Sequence, residues 1–220
     1  MSLTFPLTMP SLGAETSLFE IARVDYQSPE TGGRLGGITA GFPLWRLTLS
    51  LGPMAQAEGD AWRAFVAALR GAQRTFLARD LLRPYPAAYR AGFAGLSRAG
   101  GGAFDGTATS WSVSGTADAL TLNGLPAGLT LAVGDLVSFS WSPSRRALVR
   151  VIAPATASGA GVAVAVIEPA LPSLVPGGAV ATLAQPDVVM RLIPGETAVG
   201  DEDTVSTRGG RIVAVQDLRP

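Results

Sequence analysis

The stretch from Trp45 to Asp80 constrains the fold most. Trp45, Leu47, Leu49 and Leu51 alternate with Arg46, Thr48 and Ser50. That period of two belongs to a strand with one buried face. Gly52-Pro53 breaks it. Trp62, Phe65, Val66 and Leu69 then fall at i, i+3, i+4 and i+7, one apolar stripe of a helix over about residues 55–70. Gly71 stands where a left-handed C-cap belongs, and Thr75 to Arg79 resumes extended chain. Strand, helix, strand in that order predicts a helix laid over one face of a sheet. Burial of its four large apolar side chains contributes roughly 6–10 kcal/mol gross, at about 1.5–3 kcal/mol each.

The flanking sequence predicts more strands. Residues 1–17 read as an extended arm. Ser17 to Tyr26 alternates, with Leu18, Glu20, Ala22, Val24 and Tyr26 on one face. Residues 28–33 are a loop or hairpin tip, and Leu35 to Phe42 is a weaker strand interrupted by Gly36-Gly37. Two prolines make Leu82 to Pro86 irregular, and glycine-rich Ala91 to Gly106 reads as a connector or mobile loop. From Thr107 small residues dominate. Short strands are expected at residues 119–122, 136–141, 147–152, 162–167 and 179–182, separated by turn signals, which describes a small barrel or sandwich. Residues 188–193 and 210–218 resume the strand pattern of the first hundred residues. The expected fold is mainly β: a β-sandwich-like domain with one packed α-helix, formed by residues 1–106 and 187–220, and a small β-barrel domain, residues 107–186, inserted into it. Two domains in tandem are the alternative.

Composition narrows the chemistry. The 220 residues are 47% apolar and include no His and no Cys, and all 17 basic residues are Arg. The usual general base, the thiolate nucleophile and the Schiff-base lysine are therefore missing. Hydrolase, zinc and P-loop motifs are absent too. The chain is expected to be no enzyme and to need no cofactor or metal. Formal net charge is zero, which gives no electrostatic case for nucleic acid. No apolar run approaches the roughly 18 residues of a membrane span, and the N-terminus does not read as a secretory signal.

Few side chains stand out. Asp201-Glu202-Asp203 is a solvated acidic loop, without the spacing of a calcium loop. Glu58 and Asp60 lie in the first turn of the helix, where they complement its dipole. Trp111 and Trp141 are core residues or a sugar platform. Arg70, Arg74, Arg79 and Arg83 cluster after the helix in a segment where Arg outnumbers acids, while acids outnumber Arg from Asp187 onward. These four arginines are the candidate interface, through their planar forks.

The order of motifs carries a resemblance. Trp45-Arg-Leu-Thr-Leu precedes Ala61-Trp62-Arg-Ala-Phe65, and Leu69-Arg70-Gly71 precedes Phe76-Leu-Ala-Arg-Asp80 and Arg83-Pro84. Ala132-Val-Gly134-Asp135, Leu148-Val-Arg150-Val151 and Ile167-Glu168-Pro169 follow. This series resembles the distal tail, or baseplate-type, structural proteins of long-tailed bacteriophages and prophages, over about residues 42–192. The resemblance implies a homo-oligomeric ring, usually a hexamer, at the tip of the tail tube. One side of it docks the tail tube protein, the other the hub or baseplate, with the tape-measure protein nearby. The place implied is the virion, after synthesis in the cytoplasm of a bacterial host. The second barrel projects outward in this plan, and a carbohydrate-binding tail accessory module contacting the host surface is the alternative role.

Overall fold

A computed structural model of the chain describes residues 3–30, 32–203 and 206–218. The chain runs through β1 (Leu7–Thr8), β2 (Ala14–Glu30), β3 (Arg34–Leu51), β4 (Met54–Ala55), α1 (Gln56–Leu69) and β5 (Phe76–Arg79). It continues through β6 (Ser110–Val113), β7 (Ala119–Asn123), β8 (Thr130–Leu131), β9 (Leu136–Ser142), β10 (Arg145–Val151), β11 (Ala155–Thr156), β12 (Ala163–Glu168) and β13 (Val180–Thr182). It returns as β14 (Asp187–Leu192), β15 (Asp201–Glu202), β16 (Ser206–Arg208) and β17 (Gly210–Gln216). The protein is mainly β, with one α-helix and several sheets.

The first sheet has the order β1-β5-β14-β17-β3-β2. Strands from both ends of the chain build it, so β14 and β17 sit between β5 and β3. Trp45, Leu47, Leu49 and Leu51 are all buried, as their alternation requires. They share a core with Phe76, Met190, Ile212 and the helix residues Trp62, Phe65 and Leu69. Phe65 meets the rings of both Trp62 and Phe76 edge-on, at 5.8 and 5.2 Å. The Trp62 indole N–H donates to the Leu12 carbonyl at 2.9 Å, which ties the N-terminal arm to the helix.

Two details at the helix ends differ from expectation. The Glu58 carboxylate accepts the Ala55 N–H at 3.2 Å, so Glu58 closes the N-terminus by a hydrogen bond as well as by charge. At the other end Arg70 itself adopts the left-handed conformation, φ 50°, and Gly71 follows at φ 65°. Helix α1 also lies on a small side sheet, β15-β16-β4. Asp201 and Glu202 therefore form an edge strand, where the sequence suggested a loop.

The second sheet has the order β13-β9-β10-β12-β7-β6. A bridge between Thr107 and Thr182 joins the chain entering β6 to β13 and closes the sheet into a barrel. Ala147, Ala163, Ala165 and Ala181 alternate inward with Leu120, Leu122, Val137, Phe139 and Ile167. Small residues beside a few large ones fill a narrow barrel with side chains. Trp111 caps this core, its ring 4.9 Å from Phe139 and its N–H donating to the Ala179 carbonyl at 2.7 Å.

Tyr85, Tyr89, Phe93 and Phe104 pack with the barrel core, and Phe93 and Phe104 lie 4.9 Å apart. The glycine-rich segment is thus laid down on the barrel, where the sequence suggested a mobile connector. The structure groups residues 85–106 with the barrel, upstream of the expected border at 107. Arg98 holds this segment in place, donating to the Thr107 and Gly124 carbonyls and to the Asp105 carboxylate.

Several ties join the two sheets. The Trp45 indole N–H donates to the Leu148 carbonyl of β10 at 2.6 Å. The Arg150 guanidinium lies 4.9 Å over the Trp45 ring and donates to the Phe19 carbonyl. Arg146 pairs with Asp187 at 2.6 Å. Asp135, fully buried, accepts the N–H groups of Ala132 and Ala87 at 2.7 and 2.9 Å, with Arg83 at 3.4 Å.

Candidate assembly surface

The most unusual surface is the outer half of the β2–β3 hairpin. The two strands pair from Thr16 opposite Ser50 to Ala22 opposite Leu44, then shift register and continue from Val24 opposite Ala40 to Glu30 opposite Arg34. Gly41, at φ 75°, lies in that register shift, where the left-handed conformation suits glycine. Gly36-Gly37, expected to interrupt β3, are paired within it. Beyond the shift the hairpin leaves the sheet. From Ala22 to Pro29 and from Gly32 to Phe42, every residue but Gly36 is exposed. The free ribbon extends about 30 Å, at about 3.3 Å per residue.

Its two faces differ. Directly opposed residues share a face, so Val24, Tyr26 and Ser28 stand with Ala40, Ile38 and Gly36. Asp25 and Gln27 stand with Thr39 and Gly37. The first face is apolar and uncovered: Val24 is 57% exposed, Tyr26 65% and Ile38 74%. It continues toward the base through Leu18, on the same side of β2 and 51% exposed. The second face is polar over Asp25, Gln27 and Thr39, with the Thr39 hydroxyl donating to Asp25 at 2.6 Å, and turns apolar near the tip, where Pro29 stands opposite Leu35, 66% exposed. At the base, Arg23 pairs with Glu168 of the barrel.

The four arginines read from the sequence are not brought together. Arg70 is exposed at the helix C-cap. Arg74 donates to the Ala68 carbonyl at 3.0 Å and stacks 4.6 Å over the Phe5 ring. It satisfies the end of α1, as cations do at a helix C-terminus. Arg79 donates to the Gln185 side chain. Arg83 turns to Asp135 at the joint between the sheets. Asp60 pairs with Arg63 at 3.4 Å on the helix surface. Glu202 pairs with Arg63 at 3.0 Å, so the acidic run is engaged within the chain. Trp141 packs at the edge of the barrel core.

Among the described residues no group of three or more His, Cys, Asp or Glu could hold a metal ion. An open groove of about 450 Å³ runs between β2 and the barrel, lined by Leu18, Glu20, Asp80, Arg83, Arg150 and Ile152 among others. Its arginines and acids balance, and Arg150 is already engaged with Trp45 and Phe19. Among the described residues no helix is long and apolar enough to cross a membrane. No protein-family model matches the sequence, and a search of curated proteins finds no match.

Proposed function

We propose that this protein is a structural component of a phage tail tip, a ring that joins the tail tube to the hub. The observation that carries this reading is the free amphipathic ribbon. An isolated two-stranded ribbon is marginal in water, and a third strand or a packed face is needed to hold it. Both long edges of the outer hairpin leave backbone groups unpaired, open to a further strand. Copies arranged around an axis supply that strand to one another through a heterologous contact, which closes into a ring when the rotation permits. The polar face, with Asp25, Gln27 and Thr39, then lines a channel, and the apolar face turns toward protein. The tube and hub proteins dock on the two rims, and the barrel stands outside.

A chain without His, Cys or Lys suits a role made of contacts rather than turnover. The test is mass measurement of the purified protein, with particle imaging at concentrations from about 1 to 100 μM. The expected result is a closed ring with a central channel. A protein that stays monomeric over that range and is missing from purified virions overturns the reading.

A further inference from the structure

We infer that the apolar face of the ribbon is a socket for a second copy of this chain, centred on the notch at Gly36. This rests on the ring reading and specifies which face of the ribbon makes the contact. A concavity of about 240 Å³ lies at this part of the ribbon, lined by Tyr26, Gln27, Ser28, Gly36, Gly37 and Ile38. Glycine inside a strand weakens it and marks close approach of another group. The outer hairpin stands clear of the chain's own body, with every described residue around Gly36 exposed, so a group that approaches Gly36 is external.

The chemistry of the face selects a second copy. From Ala22 to Ser28 and from Gly36 to Ala40 its residues are Ala22, Val24, Tyr26, Ser28, Gly36, Ile38 and Ala40, none of them charged, and Glu30 opposite Arg34 follows at the tip. Over the uncharged stretch two such faces meet without like-charge repulsion. The exposed parts of Leu18, Val24, Tyr26 and Ile38 amount to roughly 400 Å² of apolar surface per copy. Doubled across a contact, and with backbone and polar area added, this reaches the about 1,000 Å² of a specific interface. A side chain of the neighbouring copy enters the notch, and Tyr26 and Ile38 close around it.

The test compares substitutions on the two faces of the same ribbon by sedimentation and native mass measurement. Gly36→Val fills the notch and Ile38→Asp charges the apolar face. Gly37→Val and Gln27→Arg change the polar face at the same height. Far-UV circular dichroism and melting curves establish that each variant folds. Ile38 is 74% exposed, so its replacement leaves the core intact. The apolar-face variants are expected to weaken assembly by about tenfold or more, and the polar-face variants by less than about threefold. An assembled wild type that Gly36→Val and Ile38→Asp leave intact overturns the socket and leaves the ring standing. Equal loss from both faces also overturns it. A wild type that never assembles overturns the ring reading itself.

Discussion

Gly59→Ala offers a test with an unusual sign. In an exposed helix interior this change stabilises by about 0.5–1 kcal/mol, because alanine loses less conformational freedom. Here Gly59 is buried against β16. An added Cβ would stand 2.1 Å from the Thr207 hydroxyl oxygen, 2.7 Å from its Cβ and 3.1 Å from its methyl group. Thr207 has no room to yield: it is fully buried, and its strand pairs with Met54 on one side and Glu202 on the other. Helix and strand must separate, and overpacking of this kind costs about 1–3 kcal/mol. After the helix gain is subtracted, the net loss is about 0.5–2 kcal/mol. For a chain of this size that lowers Tm by about 1–8 °C. Calorimetry or urea unfolding reads it. In a Thr207→Gly background the obstructing atoms are gone, and the same substitution should become neutral or stabilising, a coupling of about 1 kcal/mol or more. A rise in Tm for Gly59→Ala in the otherwise native protein would refute the close packing of α1 on β16.

Other perturbations probe the joint between the sheets. Trp45→Phe removes the donor to the Leu148 carbonyl and the larger ring beneath Arg150. It should cost about 2–4 kcal/mol and separate the unfolding of the two sheets into distinct calorimetric transitions; a single unshifted transition would count against the joint. Asp187 gives a pH signature. Burial raises its carboxyl above the ordinary 3.8, and Arg146 offsets this only in part. The native state then holds that proton more tightly than the unfolded chain, so the group's contribution is fully present below about 3.8 and is lost as pH rises through the folded value. Asp187→Asn should flatten this fall in Tm on the alkaline side of the ordinary carboxylate value, and an unchanged Tm–pH profile would contradict the assignment.

Much of the fold was legible because its signals are local. Trp45, Leu47, Leu49 and Leu51 carry their burial in a two-residue period, and Trp62, Phe65 and Leu69 carry theirs in a helical one. The barrel announced itself through small residues and regular turns. The ribbon did not, because Gly36-Gly37 lowers strand propensity and reads as a break. What keeps those residues in β3 is pairing with Gln27 and Ser28, a contact between strands that the local sequence does not encode. The glycines of residues 91–106 misled in a similar way. Phe93 and Phe104 were the better signal, since large aromatic side chains in a segment of that kind need a core to enter. The arginine cluster was a cluster only along the chain: Arg74, Arg79 and Arg83 each turn to a different partner, set by where α1, β5 and the barrel lie.

In the proposed ring the joints would also decide how the barrel acts. A domain on a flexible tether samples many positions, and its surfaces reach partners by search. This barrel is held at Trp45–Leu148, Arg150–Phe19, Arg146–Asp187, Arg83–Asp135 and Arg23–Glu168. Those contacts are spread across β2, β3, β14 and the segment after β5, so no single bond serves as a hinge about which the rest could turn. Arg23–Glu168 ties the barrel to the base of the ribbon itself. In a ring whose neighbours meet through their ribbons, the orientation of each barrel is therefore set by the same contacts that close the ring, and barrels repeat around it at fixed angles. A binding surface on the barrel then acts as one of several copies at set spacing, where simultaneous engagement multiplies a weak affinity. Loosening Trp45 should consequently reduce multivalent engagement by an assembled ring while leaving the affinity of a single barrel unchanged.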